Sequence, residues 1–167
     1  LVRNEPKRAQ AVLVGAQDRF GNQADWLTAF GRAQLPDDPE AAADTLSRAV
    51  ERAPRSVTAR YLLALAYGQT GREREHAEQL SEVLELDPNH VPARLAEARM
   101  ALKSGDPARA DSALSRLRAG GADTGGTELT LLEGRIAAAL GQPGRAEAAF
   151  RRAFEQAPET RTVLALS

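Results

Sequence analysis

The sequence predicts an all-α fold built as a tandem array of antiparallel helix pairs, and three observations carry that expectation. Prolines recur in two ladders, apolar residues recur at three and four between them, and no strand signal is present. In the first ladder Pro54 and Pro88 lie 34 residues apart, each closing an apolar run, LSRAVERAP and LSEVLELDP. A third such run, FRRAFEQAP, ends at Pro158. The second ladder passes through Pro6, Pro39, Pro107 and Pro143, with Glu73 in the vacant slot, at spacings of 33, 34, 34 and 36.

The second ladder marks helix starts, because proline is favoured at the first helical position, where its missing N–H had no partner to lose. Asp38 and Asp106 directly precede two of these prolines and are placed to cap the free N–H groups of the first turn. Gly71, Gly105 and Gly141 lie just upstream, where a helix ends in a left-handed turn. The first helix of each pair is therefore expected near 24–36, 57–70, 91–104 and 127–140. The second helices are expected near 6–20, 39–53, 73–87, 107–119 and 143–157. The glycine-rich stretch Gly120–Gly126 absorbs the two extra residues of the last spacing, and 119–126 is expected to be the most mobile internal connection.

A helix-turn-helix unit of this length resembles the tetratricopeptide repeat. One repeat offers Trp26, Ala42, Leu46, Ala49 and Pro54, and the next Leu63, Ala64, Tyr67, Leu80, Val83 and Pro88. The third has Ala98, Ala101, Ala110, Leu114 and Leu117, with Ala122 where proline is expected; the fourth has Gly134, Ala137, Ala146, Phe150, Ala153 and Pro158. Small residues are needed where helices approach closely, and large ones fill the spaces between. The resemblance implies a single right-handed α-solenoid over 1–167: a half repeat 1–22, repeats 23–56, 57–90, 91–126 and 127–160, and the start of another at 161–167. Because the array starts and stops in mid-repeat, a piece of a longer array is expected. Its ends would expose Val12 and Leu13 at one side and Val163 and Leu164 at the other, open to self-association. The Ala/Leu/Arg-rich style and the run LLEGRIAAALGQPGRAEAAFRRAF are also similar to bacterial lipoproteins of this repeat class associated with exosortase (PEP-CTERM) systems.

Composition removes several functions. With 22 basic against 23 acidic residues and 4% aromatics, the chain offers neither a basic stripe nor stacking platforms, so no nucleic-acid partner is expected. No apolar stretch is long enough to span a bilayer. Cysteine is absent, which rules out disulfides and thiolate chemistry. Glu73 and His76 lie one turn apart, but His76 falls where the repeat wants alanine and reads as a half-buried structural histidine. His90 lies in the Asp87–His90 turn and reads as a solvated loop residue. The glycine-rich stretch lacks the preceding strand and the Lys-Ser/Thr of a phosphate loop. No catalytic, cofactor or metal site is expected, and the chain reads as no enzyme. Trp26 and Tyr67 fall on packing positions.

The resemblance thus implies a scaffold that binds a protein or peptide segment, in the bacterial periplasm or envelope or alternatively in the cytoplasm. A regulatory or targeting module of a larger enzyme is the other reading. In the repeat's usual register the residue after the Trp slot faces the groove, giving Leu27, Tyr61, Leu95 and Leu131. One turn further come Gly31, Leu65, Arg99 and Arg135. These form an apolar stripe that gains two arginines, suited to a segment with aliphatic anchors and a carboxylate. The same leucines could instead pack first helices against each other. The lysines and asparagines with which chaperone-binding members grip a C-terminal carboxylate are absent from Ala24, Thr58 and Pro92 and from Gly31, Leu65 and Arg99.

Overall fold

In the computed structural model, residues 11–16, 20–121 and 126–156 are described. The helices run α1 (Ala24–Gln34), α2 (Pro39–Arg52), α3 (Val57–Gln69), α4 (Glu73–Leu86), α5 (Val91–Lys103), α6 (Pro107–Ala119), α7 (Thr127–Ala139) and α8 (Pro143–Gln156). Residues 11–15 are also helical. No strand occurs among the described residues, and the expected boundaries hold to within two residues. Residues 6–10 and 17–19 of the expected helix 6–20, residues 122–125 of the glycine-rich connection, and Val163 and Leu164 lie outside the described residues.

Side-chain caps fix the starts of α2, α3, α5 and α6. Asp38 Oδ1 accepts from the Ala41 N–H at 3.0 Å and Asp106 Oδ1 from the Arg109 N–H at 2.9 Å, each beside a proline at the helix start. Ser56 Oγ caps α3 through the Ala59 N–H at 3.2 Å. His90 does the same for α5: its Nδ1 accepts from the Ala93 N–H at 3.2 Å. His90 is thus a helix cap rather than a solvated loop residue, because an imidazole nitrogen reaches the third amide much as a serine hydroxyl does. Gly71, Gly105 and Gly141 have φ of 73, 77 and 69°, as the turn between paired helices requires. In each turn the residue after the glycine donates back to a carbonyl five residues earlier: Arg72 to Tyr67, Asp106 to Ala101 and Gln142 to Ala137, at 2.8–2.9 Å.

The α1–α2 turn is built differently. It has no glycine; Asp38 N–H instead closes on Gln34 O at 2.8 Å. The first residue of α2 follows that of α1 by 15 positions, whereas the other pairs show 16.

The helices fall into two compact units that divide between Pro88 and Asn89. In the first unit α1 packs on α2, α2 on α3 and α3 on α4. Leu35, Ala42, Ala43, Leu46, Leu62, Leu63 and Ala66 form one core cluster, and Trp26, Leu27, Ala49 and Ala59 another. Trp26 stacks on Phe30 and donates its indole N–H to Leu13 O at 3.2 Å, so it is a core residue as expected. His76 is half-buried, with its ring against Gly68, and its Nδ1–H donates to Ala64 O at 2.6 Å. In the second unit α5, α6, α7 and α8 pack in the same succession around Ala98, Ala101, Ala110, Ala113, Leu114, Leu117, Leu129, Leu132 and Ile136.

Two ionic clusters tie the second unit together. The buried carboxylate of Glu133 on α7 is held by Arg118 of α6 and by Arg152 of α8 at 3.2 Å. Asp111 of α6 pairs with Arg145 of α8, and that carboxylate raises the arginine's pKa above its ordinary value. A carboxylate taken out of water needs such partners, since without them desolvation is uncompensated.

The packing can be tested at two places. A Cβ on Gly31 would meet Leu46 Cγ at 2.5 Å, and one on Gly134 would meet the Phe150 ring at 2.5 Å. Leu46 is fully buried and cannot move, whereas Phe150 is 40% exposed and can swing outward. Gly31→Ala should therefore cost about 1–3 kcal/mol by overpacking and Gly134→Ala less, in denaturant unfolding; the reverse order would contradict this packing. Replacing Arg118 and Arg152 together by alanine leaves Glu133 buried without a charged partner. It should destabilise the fold by about 1–3 kcal/mol, and adding Glu133→Leu should restore part of that loss.

Candidate functional site

The candidate site is the solvent-facing side of the first helices, and its residues are set by how each first helix meets its second. The eighth residue of every first helix is small and buried: Gly31, Ala64, Ala98 and Gly134. It faces the second helix, as the contacts of Gly31 with Leu46 and Gly134 with Phe150 show. The fourth residue, one turn earlier, is also turned inward: Leu27, Arg94 and Thr130 are buried and Arg60 is half-buried. The fifth and ninth residues lie away from that contact and range from half-buried (Thr28, Tyr61, Leu65, Leu95) to exposed (Arg32, Arg99, Leu131, Arg135).

This geometry corrects the expected set at one end. Leu27 is fully buried within the first unit's core and offers nothing to a partner, and Gly31 is the buried contact with Leu46. The equivalents of Tyr61, Leu95 and Leu131 and of Leu65, Arg99 and Arg135 are Thr28, half-buried, and Arg32, exposed. The physical reason is the α1–α2 turn. Trp26 is the third residue of α1, whereas the residues before Tyr61, Leu95 and Leu131 are the fourth of their helices, so the residue after Trp26 falls one place early in this pair, which is one residue shorter than the others. The absence of a glycine before Pro39 was the available signal.

In the first unit Tyr61 and Leu65 are half-buried, and Leu65 packs against the core cluster of α2 and α3. In the second unit Leu95 is half-buried and rests on the core, while Leu131 is 44% exposed. Arg99 and Arg135 are both exposed. Arg99 pairs across from α5 to Glu128 in the first turn of α7, a contact between positions too far apart in sequence for periodicity to reveal. Arg135 makes no ion pair among the described residues. On one face the second unit thus brings together Leu95 and Arg99 from α5 with Glu128, Leu131 and Arg135 from α7. The first unit brings together Thr28, Arg32, Tyr61 and Leu65. Such faces can bind by apolar contact and by bidentate guanidinium–carboxylate pairing.

Among the described residues no group of three or more histidines, aspartates or glutamates is placed to hold a metal, and no helix is long and apolar enough to cross a membrane.

Residues 57–90 match the tetratricopeptide repeat. No curated protein sequence matches the chain significantly. Solved structures similar to it include MamA, with 16% identity, 97% of this chain and 93% of that chain covered and a TM-score of 0.79. PilW, described as a widely conserved type IV pilus biogenesis factor, is 20% identical over 95% of this chain and 74% of its own, with a TM-score of 0.79. A thermophilic TPR protein of Thermus thermophilus is 19% identical over 98% of this chain and 91% of its own, with a TM-score of 0.71. At these identities the likeness speaks for the fold: the chain carries a tetratricopeptide repeat at 57–90 within an all-α fold of the tetratricopeptide-repeat solenoid class.

Proposed function

We propose that this chain is a non-catalytic scaffold that holds a segment of a partner protein against the outward faces of its first helices, in assembly or export at the bacterial envelope. The observation that carries this reading is the second unit's face, where Leu131 stands 44% exposed between Glu128 and Arg135 on α7. Leu131, half in water and one turn from a guanidinium without an ion-pair partner among the described residues, is open to contact by a partner's apolar side chain. Leu95 and Arg99 extend the same surface on the neighbouring α5. Leu95 and Leu65 share the duty of packing, so the binding energy falls chiefly to Leu131 and the arginines. Scaffolds of this repeat class generally act by binding proteins. The envelope setting takes its support from the Ala/Leu/Arg-rich run at the C-terminal end and from the likeness in fold to a pilus biogenesis factor.

Peptides selected against the chain from a random display library should carry aliphatic residues together with a carboxylate. Replacing Arg99 and Arg135 together by glutamate should weaken those peptides by about tenfold or more, the scale of losing charge-assisted pairs. Unfolding free energy should change by less than about 1 kcal/mol, as for surface substitutions. Selected peptides that bind the double variant as well as the parent would overturn the assignment.

A further inference from the structure

We propose that Glu128 is a built-in competitor for this face: its carboxylate occupies, on Arg99, the place that a carboxylate of an acidic, aliphatic partner segment takes on binding. The inference rests on the reading that the second unit's first-helix face is the binding surface.

Three observations support it. The pair spans two helices, yet both groups face water, with 79% of the Glu128 side chain and 45% of the Arg99 side chain exposed. An ion pair so solvated is readily exchanged and adds little to the fold. The pair is therefore free to open where the clamps on Glu133 are not.

Glu128 is also the single exposed carboxylate on α5 and α7. Glu97 is mostly buried and held by Arg94 and Arg109, and Glu133 is buried between Arg118 and Arg152. The exposed charges of these two helices are thus Glu128 against Arg99, Lys103 and Arg135. Residues 89–167 as a whole carry 11 basic and 9 acidic side chains, whereas residues 1–88 carry 11 and 14. An anionic segment is accordingly drawn to the second unit rather than the first.

Glu128 also loses little when displaced. It lies in the first turn of α7, whose N-cap Gly126 provides no side-chain acceptor, so the free amides of that turn favour a carboxylate with or without Arg99. Opening the pair thus leaves both partners charged and well placed: Arg99 on the incoming carboxylate, Glu128 at the helix start. The ligand class follows. It carries one carboxylate for Arg99 and a second for Arg135, with an aliphatic side chain for Leu131 between them. Its carboxylates are those of side chains, and no free chain end is required.

The test uses the full chain and a fluorescent peptide of alternating aspartate and leucine, acetylated and amidated so that it has no terminal carboxylate. Its partner blank has serine for aspartate. Glu128→Gln should bind the acidic peptide about two- to fivefold more tightly than the parent, the range expected when an exposed competitor is removed. The gain should vanish near 1 M salt, where screening acts within about 3 Å. Glu147→Gln removes an equally exposed carboxylate, paired with Arg151 on α8, and should leave affinity unchanged. Equal affinity of the parent and Glu128→Gln, with binding still lost on Arg99→Glu, would overturn the competitor while leaving the binding face intact. An equal gain from Glu147→Gln would also overturn it, since net charge alone would then account for the effect. Failure of the acidic peptide to outbind its serine blank in both the parent and Glu128→Gln would overturn the inference and the reading beneath it.

Discussion

Every helix pair in this chain depends on one close approach, between a small residue at the eighth position of the first helix and the side chains of the second. Gly31 lies tight beneath the buried Leu46 and Gly134 beneath the Phe150 ring, and Ala64 and Ala98 are fully buried at the same place. Interiors are packed to crystal-like density, so a contact this tight fixes the rotation of the first helix about its own axis. Once that rotation is fixed, the rest follows from helical geometry. The fourth position turns inward, and the fifth and ninth lie on the other side, half-buried to exposed.

Much of this was legible in the sequence because the signals are local and repeat. A proline at a helix start, an aspartate before it and a glycine at the turn each act within a few residues, and each of the four helix pairs carries at least one of them. The buried alanines and leucines of the resemblance, among them Ala42, Leu46, Ala98, Leu114 and Ala137, all lie in the core. The candidate face was less legible. Its register is read from the Trp slot, and the α1–α2 pair, which turns without a glycine and is one residue shorter, places Leu27 in the core and puts Thr28 and Arg32 at the positions equivalent to the rest of the set. His90 was hidden for another reason: histidine is not an expected cap, and only the position of Nδ1 beside the Ala93 amide reveals the role. Ion pairs such as Arg99 with Glu128 join residues of different helices and leave no trace in periodicity.

The charged groups of the second unit sort into two kinds by their exposure. Glu133 is buried and clamped by arginines from the helices on either side of it, which sets the stack. Glu128 is solvated and singly paired, which leaves it exchangeable. The same pairing chemistry thus serves rigidity where water is excluded and stays exchangeable where it is not. Leucines divide in the same way: Leu132 is buried and Leu131, its neighbour, stands in water.

The most direct test of the account is to map where a ligand lands. Amide chemical shifts of the isotope-labelled chain, followed while the acidic leucine peptide is added, report each residue's surroundings separately. The account predicts that the largest changes fall on Leu95, Arg99, Glu128, Leu131 and Arg135, with the exposed outer surfaces of α6 and α8 unmoved. Changes concentrated on α6 and α8, with those five residues silent, would contradict it.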